Sequence, residues 1–325
     1  MLSAGWPLLR LMTTGVPTAD SAAIRLRLRQ HARGALLGLA LGDALGATVE
    51  FMTPREIAAT HGCHAQIRGG GWLRLAPGAV TDDTGMALAL ADAWLLNAHA
   101  PAAEDYARAF DAWMRSKPVD IGHTVRRALL RFRQTGQACV PPSDEAGNGA
   151  TMRCAPLALV LLGAPPDTLA TATLAQARVT HHNALTDAAT LTVVNMVQAG
   201  LHAGGTPAGI RAVMAQAHLL AQRFPLFRFR TRPVMNPSAY IVDSLRVVLQ
   251  AIDLHDSFEG ALIEAVNRGG DADTTGAITG AIMGALLGEA ALPERWLKAL
   301  APAVRQRCGE AADALVARSP AWRRA

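Results

Sequence analysis

The chain has 325 residues, half of them hydrophobic, and a formal net charge of +5 at pH 7. This is enough apolar material for the core of one large domain or of two ordinary ones, which excludes a chain too polar to fold. The basic residues are nearly all arginine and are scattered, without a stripe of interleaved aromatic residues. Nucleic-acid binding is therefore not the leading interpretation, and an acidic or phosphate-bearing ligand suits the charge equally well.

The N-terminal stretch and the cysteines indicate the kind of protein. Residues 1–29 show no clear helical period, and we expect a disordered leader or a misassigned start, followed by one domain over residues 30–325. The cysteines at positions 63, 139, 154 and 308 form no Cys-x-x-Cys pair, which indicates a reducing compartment without structural zinc. The longest apolar run, residues 274–292, is rich in glycine and alanine. We expect a buried core helix there and no membrane span.

Two stretches carry glycine at every fourth position. These glycines are Gly34, Gly38, Gly42 and Gly46 near the N-terminus, and Gly276, Gly280, Gly284 and Gly288 near the C-terminus. A glycine inside a helix costs roughly 1 kcal/mol relative to alanine, so a stripe of four needs a reason. Small residues at this spacing let two helix backbones approach closely. We expect each stripe to lie in a tight crossing, either against the other stripe or separately against large side chains.

Acidic and hydroxyl side chains are concentrated just before two apolar helical runs. They are Thr81, Asp82 and Asp83 before the first run, and Asp271, Asp273 and Thr274 before the second. One such residue would serve as a helix N-cap, but adjacent carboxylates repel one another unless cations or protons neutralise them. Hard oxygen ligands select magnesium, manganese or calcium, and this many carboxylates favour two ions. We predict one binuclear site, with Glu50 carried to it by the glycine crossing.

Two further segments have the composition of ligand-contacting loops. Asp120 has the spacing of a helix N-cap before the helix predicted over residues 122–134. The glycines of Gly147-Asn148-Gly149 leave backbone N–H groups free to meet a ligand, and a helix is predicted from Ala150. Most Asn-Gly pairs are ordinary turns, so either function alone is a weak prediction.

His181 and Tyr240 each have two interpretations. His181 is followed by a second histidine, but adjacent side chains do not share a helix face and no further ligand lies at zinc spacing. Substrate contact or a structural role is therefore favoured over zinc. Tyr240 stands where a helix begins, and it either stacks on a ring or fills the core. Helical periods continue elsewhere, as over residues 103–115, and no alternating strand pattern is convincing. The predicted fold is all-α, an orthogonal multi-helix bundle with the metal site at helix N-termini.

Seven motifs occur in one order between about residues 32 and 315. They are GDALGATVEF, GGGWLRLAPGAVTDDT, PVDIGHT, AGNGATMRC, THHN, SAYIVD and NRGGDADTTGA. Together they resemble the ADP-ribosylglycohydrolase family. The resemblance implies an all-α fold and a centre of two divalent cations, Mn2+ or Mg2+. Each motif alone is weak, but the ordered series is specific.

The resemblance also implies roles for individual residues. The metal ligands would be Thr81, Asp82, Asp83, Asp271, Asp273 and Thr274, and the ADP-ribose pocket would be lined by Gly147, Asn148, Gly149, Met152, His181 and Tyr240. Asp120 matches a family aspartate important for catalysis. Glu50 would lie beside the metals, as a ligand or as a gate to the ribose. These two carboxyl groups are the candidates for the acid/base role.

The implied activity is hydrolysis of the N-glycosidic bond between ADP-ribose and an arginine side chain of a modified protein, with nitrogenase iron protein as the expected substrate. A PII-type signalling protein and an ammonium channel are the implied recruiting partners, at the inner face of the membrane of a cytoplasmic enzyme. Two alternatives remain: a hydrolase acting on another protein or linkage, and a non-catalytic protein that binds ADP-ribose or serves as a scaffold.

Three features of the sequence depart from the family pattern. Gly85 stands where glutamate is usual, His123 where asparagine is usual, and the acidic residues before AGNG differ in type. These departures bear on the choice of target and leave every expected metal ligand in place.

A phosphatase is a further rival. The segment Asp271-x-Asp273-Thr274-Thr275 matches the DxDxT signature of haloacid-dehalogenase-type enzymes superficially. That signature should follow a buried strand and be served by a downstream lysine. Residues 263–267 have a helical pattern instead, and Lys298 is the one lysine that follows.

Overall fold

Helices form the whole framework of the described chain. The computed structural model describes residues 19–325, and within them there are fifteen α-helices, two short 3-10 helices and no β-strand. The all-α prediction is therefore confirmed. The α-helices are α1 (Ala19–Gly46), α2 (Pro54–His61), α3 (Asp82–Leu96), α4 (Ala103–Arg115), α5 (His123–Thr135), α6 (Ala155–Val160), α7 (Pro166–Ala177), α8 (Ala184–Ala203), α9 (Pro207–Arg223), α10 (Ile241–Leu254), α11 (Phe258–Val266), α12 (Ala272–Leu287), α13 (Glu294–Ala299), α14 (Pro302–Arg318) and α15 (Pro320–Arg324).

Helices α1 and α12 cross with backbone against backbone. A Cβ atom on any glycine of the first stripe would overlap a carbonyl group of α12. The facing pairs are Gly34–Gly284, Gly38–Gly280, Gly42–Gly276 and Gly46–Ala272. The prediction that the two stripes lie against each other is confirmed. Since the numbers of the partners fall as those of α1 rise, the helices are antiparallel, and the end of α1 lies beside the start of α12.

The part of the predicted apolar run 274–292 that forms α12 lies in the core, as predicted, but the helix ends at Leu287, and Ala290 and Ala291 beyond it are exposed. Every residue of α12 from Ala272 to Leu286 is buried. None of the helices in the described chain is both long and apolar enough to cross a membrane. Burial on all sides explains why this helix reads as hydrophobic throughout.

The predicted boundary at residue 30 lies inside α1. Of the leader predicted over residues 1–29, residues 19–29 belong to this helix, and residues 1–18 lie outside the described residues. Arg29 and Arg33 on α1 form ion pairs with Asp313 on α14, and Arg33 also pairs with Glu289. The middle of α1 is thus joined to the C-terminal part of the chain through charges that are partly exposed.

The observed helix starts correct two sequence predictions. Helix α4 spans the predicted residues, but Asp120 is not the N-cap of α5, because that position is Gly122 and the Asp120 Oδ1 accepts the Ile121 N–H at 2.8 Å. The helix predicted from Ala150 begins at Ala155, after a turn. Pro156 accounts for this difference, since proline is tolerated in the first turn of a helix and breaks its interior.

The segment before the Asp271 motif decides against the phosphatase. Helix α11 occupies Phe258–Val266, where the phosphatase signature requires a buried strand. The DxDxT-type interpretation is therefore wrong.

Candidate active site

A carboxylate on α1 holds the first acidic turn in place. Asp43 is fully buried and accepts hydrogen bonds from the backbone N–H groups of Thr81 at 2.9 Å and Thr84 at 3.0 Å. Its oxygens also accept from the hydroxyls of Thr81 at 3.0 Å and Thr84 at 2.5 Å. The N-cap residue of α3, Thr81, makes no capping hydrogen bond with its own side chain. Asp43 satisfies the N–H groups at that helix start instead. Sequence reasoning missed Asp43, although a lone carboxylate inside a glycine-striped apolar helix was a signal.

The two acidic turns meet through their hydroxyl groups. The Thr81 Oγ1 lies 3.2 Å from an oxygen of Asp83 and 3.2 Å from an oxygen of Asp273. The Thr274 Oγ1 lies 3.4 Å from the same Asp83 oxygen. The antiparallel crossing of α1 and α12 thus brings together residues that are about 190 positions apart, as Thr81 and Asp273 are separated by 192.

Glu50 joins this group from the turn after α1. One carboxylate oxygen each from Glu50, Asp271 and Asp273 lie within 4.8 Å of one another. Trp72 donates its indole N–H to the Glu50 Oε2 at 2.6 Å. Phe51 adopts a left-handed conformation, with φ +62°, and its ring lies 5.3 Å from that of Trp72. Sequence reasoning did not single out Trp72.

The cluster is a concentration of buried negative charge. Burial, followed by repulsion from neighbouring carboxylates, raises the pKa of Glu50 to about 8 and that of Asp82 to about 7. The same causes raise the pKa of Asp83 and Asp273 well above their usual range. Within residues 19–325, no lysine or arginine forms an ion pair with any of these carboxylates.

These residues fit a hard divalent cation. The Asp83 Oδ1 is buried and has no hydrogen-bond partner in the described chain, so an acceptor oxygen is left unsatisfied. The candidate ligand atoms around it are carboxylate or hydroxyl oxygens, which suit magnesium, manganese or calcium. A bound cation would neutralise the repulsion and satisfy the oxygen.

The cluster opens into a cleft of about 610 Å³, a volume typical of small-molecule sites. Of the residues predicted from the sequence, the cleft is lined by Glu50, Asp82, Asp120, Gly147, Asn148, Gly149, Met152, His181, Asp271, Asp273 and Thr274. Thr81 and Asp83 are buried and do not line it, and Tyr240 lies next to the lining residue Ala239 with 38% of its surface exposed. The cleft is also lined by residues that sequence reasoning missed, namely Phe51, Trp72, Asn236, Pro237 and Ser238.

Asp120 also lines the cleft, on the loop that precedes α5. It is half-buried, and this burial raises its pKa. The backbone N–H of Gly122 donates to the Asp82 Oδ2 at 3.2 Å, which connects this loop to the acidic cluster. The negative charge of Asp120 also raises the pKa of Asp82.

Asn148 contacts the carboxylate of Asp271 directly. Its side-chain Nδ2 donates to the Asp271 Oδ2 at 2.6 Å and to the Ser244 Oγ at 2.9 Å. Its backbone N–H donates to Ala239 O at 3.0 Å. The amide therefore orients one of the expected metal ligands, a role that the sequence interpretation of a free ligand-binding loop did not include.

Comparison with known proteins adds the identity of the fold. Residues 25–325 match the sequence profile of the ADP-ribosylglycohydrolases. The chain belongs to the ADP-ribosylglycohydrolase family. The family is metal-dependent, and the acidic cluster described above provides residues that could hold the metal.

Named relatives align with this ADP-ribosylglycohydrolase over most of its length. The chain is 45% identical over 291 residues to the ADP-ribosyl-[dinitrogen reductase] glycohydrolase of Rhodospirillum rubrum, covering 89% of this chain and 97% of that protein. It is 33% identical to the ADP-ribosylarginine hydrolase Tri1 of Pseudomonas putida, covering 83% and 74%. A solved structure described as an ADP-ribosylglycohydrolase-related protein complex superposes with a TM-score of 0.79 at 34% identity, covering 90% of this chain and 99% of that one.

Proposed function

We propose that the protein hydrolyses the N-glycosidic bond between ADP-ribose and an arginine side chain of a modified protein, with two divalent cations, Mn2+ or Mg2+. The observation that carries the proposal is the convergence of Glu50, Asp271 and Asp273 within 4.8 Å in the 610 Å³ cleft. The relatives from Rhodospirillum rubrum and Pseudomonas putida are named for ADP-ribosyl-dinitrogen reductase and for ADP-ribosylarginine. Both names describe removal of ADP-ribose from a protein or its arginine.

The cations would be held by the two acidic turns. The proposed ligands are Thr81, Asp82, Asp83, Asp271, Asp273 and Thr274. When bound, the cations supply positive charge that can hold vicinal ribose hydroxyls and activate a water molecule. The uncompensated charge of the carboxylates and the unsatisfied oxygen of Asp83 support a site for more than one positive charge.

The carboxyl groups of the cleft suit the bond that breaks. The sugar ring gains positive charge as the bond to nitrogen lengthens, so nearby carboxylates stabilise the transition state. The guanidine leaves poorly unless it stays or becomes protonated, so one carboxyl group must manage that proton. Burial raises the pKa of Asp120 and brings that of Glu50 to about 8. We assign the acid/base role to Asp120, with Glu50 as the competing candidate.

Two substitutions separate these candidates. Asp120→Asn should abolish turnover while Mn2+ remains bound, because Asp120 is not one of the three carboxylates whose oxygens lie within 4.8 Å of one another. Glu50→Gln should weaken Mn2+ binding as well, because Glu50 belongs to that group. Asp144→Asn, on an exposed loop, is the control. Loss of metal from Asp120→Asn would contradict the assignment.

The ADP-ribose itself would occupy the cleft. The proposed contacts are Gly147, Asn148, Gly149, Met152 and His181, with Tyr240 at the margin. Tyr240 is exposed beside the cleft, which leaves its ring available to stack on a base. Asn148 would act through its hold on the Asp271 carboxylate.

The target and the location follow from the resemblance. The proposed substrate is dinitrogenase reductase, the nitrogenase iron protein, whose mono-ADP-ribosylation the enzyme would reverse. A PII-type signalling protein and an ammonium channel would recruit the enzyme to the inner face of the membrane. A cytoplasmic location agrees with the four cysteines, all of which are free.

The deciding experiment uses a protein carrying ADP-ribosyl-arginine, incubated with the enzyme with and without Mn2+. Release of ADP-ribose that requires Mn2+ and disappears in Asp273→Ala would support the proposal. A parallel substrate carrying ADP-ribosyl-serine tests the alternative linkage. No release, with free ADP-ribose still bound, would favour a non-catalytic binding protein. A scaffold would show no thermal shift with Mn2+.

A further inference from the structure

Arg153 is a buried cation without a counterion. Its side chain is completely buried, and no carboxylate within the part of the chain that the structure describes lies at ion-pair distance from it. The guanidinium lies over the Phe110 ring at 4.2 Å and donates to the Gln176 side chain and backbone oxygens, each at 2.9 Å. It also donates to the Thr180 Oγ1 at 2.9 Å. Burying a charge without a partner of opposite sign is costly, so this arrangement needs a reason.

The hydrogen bonds of Thr180 determine where the proton of His181 lies. Arginine has only donors, so the Thr180 oxygen must be the acceptor in its bond with Arg153. The Thr180 oxygen has a second lone pair, but its hydroxyl proton has no other acceptor among residues 19–325, so this proton is satisfied only by a bond to the His181 Nδ1, which lies 2.8 Å away. Nδ1 is therefore an acceptor and carries no hydrogen. In a neutral imidazole the one ring proton must then be on Nε2.

The environment of His181 keeps the ring neutral. Burial, followed by the positive charge of Arg153, lowers the pKa of His181 to about 3. The ring is 4% exposed, and it lines the cleft. A single tautomer with an Nε2–H group is therefore expected at neutral pH.

Two glycines pack closely against the Nε2 side of the His181 ring. A Cβ atom on Gly147 would lie 2.9 Å from the His181 Nε2, and one on Gly149 would lie 2.9 Å from the Cε1. Both glycines line the cleft with His181. Among residues 19–325, no protein acceptor receives a hydrogen bond from Nε2. The Nε2 side of the ring thus faces residues of the cleft wall, and its N–H group has no acceptor within the described chain.

We propose that Arg153 and Thr180 are positioning residues that fix His181 as its Nε2–H tautomer, so that it donates a hydrogen bond to an acceptor oxygen of the ligand. The identity of that ligand, ADP-ribose, rests on the proposed function. The tautomer does not, because it is a property of the ligand-free protein. Neither Arg153 nor Thr180 lines the cleft next to the acidic cluster. Their effect on the ligand passes through the imidazole.

The tautomer is tested by NMR on the full chain labelled with 15N in its histidine rings. The chain has ten histidines, so the His181 signals are assigned by their loss in His181→Gln. The wild-type protein should show a protonated Nε2 and an unprotonated Nδ1. Thr180→Val removes the hydroxyl with little change of shape and should give a mixture of tautomers or the reversed one. Thr180→Ser should restore the wild-type pattern.

Thr173→Val is the matched control. Thr173 is also a buried threonine, and its hydroxyl has no hydrogen-bond partner in the described chain. It should leave the His181 signals unchanged. A wild-type spectrum with Nδ1 protonated, or a Thr180→Val spectrum identical to that of the wild type, would overturn the positioning role.

Binding of ADP-ribose, measured by calorimetry without any turnover, tests the donor role. One neutral hydrogen bond contributes about 1 kcal/mol, so Thr180→Val should weaken binding by roughly fivefold to tenfold, and Thr173→Val should not. Unchanged binding in both Thr180→Val and His181→Gln would overturn the donor role. If the wild-type protein shows the expected tautomer but binds no ADP-ribose, the proposed function fails while the effect of Arg153 and Thr180 on the ring stands.

Discussion

Replacing Gly42 by alanine tests whether the helix crossing sets both the stability of the fold and the geometry of the acidic cluster. A Cβ at Gly42 would overlap the carbonyl group of Gly276 and lie 2.8 Å from Ala277 N. These are backbone atoms, so no side-chain rotation relieves the overlap, and the two helices must separate by roughly 1 Å in a close-packed core.

The size of the effect follows from two opposing terms. Overpacking a core by a methyl group costs about 1–3 kcal/mol, and overlap with backbone places Gly42→Ala at the upper end. The higher helix propensity of alanine returns about 1 kcal/mol. We therefore expect a loss of about 2 kcal/mol in the free energy of unfolding, measured by urea denaturation in EDTA. The thermal shift produced by Mn2+ should also shrink, because Glu50 follows the end of α1 and Asp273 lies at the start of α12.

Gly205→Ala is the control for this experiment. Gly205 is an exposed glycine between α8 and α9, and the nearest atom to a Cβ there would be the flexible Leu287 Cδ2 at 3.3 Å. Its stability should stay within about 0.5 kcal/mol of the wild type. A Gly42→Ala protein that is as stable as Gly205→Ala and responds equally to Mn2+ would refute the role given to the crossing.

Three further predictions concern the acidic cluster. Asp43→Asn leaves one buried N–H of the turn that carries Thr81 without an acceptor. The free energy of unfolding should therefore fall by about 1–3 kcal/mol, and the Mn2+ thermal shift should shrink. The control, Asp111→Asn, should lower the stability but leave the Mn2+ thermal shift unchanged. Because burial raises the pKa of Glu50 to about 8, the metal-free folded protein binds more protons than the unfolded chain between about pH 4 and 8. Its stability in EDTA should therefore fall as pH rises through that window, with the Mn2+ shift larger at pH 8 than at pH 6; a rise in EDTA would contradict this. Trp72→Phe removes a hydrogen bond that lowers the pKa of Glu50, so the pH dependence of Mn2+ binding should move to higher pH, as calorimetry can measure.

The sequence allowed the helical fold to be predicted because its signals are local. Helical periods mark α4 and α5 within a residue or two. The two glycine stripes predicted a crossing because glycine inside a helix is unfavourable unless another backbone requires the space. The chemistry of the two acidic turns was visible for a similar reason, since crowded carboxylates are unfavourable without a counter-charge.

The missed features depend on contacts that are distant in sequence. Asp43 stands out as a lone carboxylate in an apolar helix, but its partners lie 38 and 41 positions further along the chain, so the local pattern does not show what it binds. Trp72 acquires its role from Glu50, which is brought to it by the turn after α1. The local spacing that suggested an N-cap at Asp120 was misleading, because the Asp120 carboxylate accepts the N–H of the next residue, Ile121, and the N-cap position is occupied by Gly122. Periodicity carries no information about such contacts.

The turns that carry Glu50 and Asp271 are joined by a reciprocal pair of backbone hydrogen bonds. The Phe51 N–H donates to Gly270 O at 2.7 Å, and the Gly270 N–H donates to Met52 O at 2.9 Å. Separating these two turns would break both hydrogen bonds, so we expect the two turns to move together as one rigid unit. The loop that carries Asp120 is connected to the cluster at Asp82 by the 3.2 Å bond from Gly122. A bulky protein substrate therefore cannot gain room by separating the turns of Glu50 and Asp271 without breaking both of their backbone hydrogen bonds.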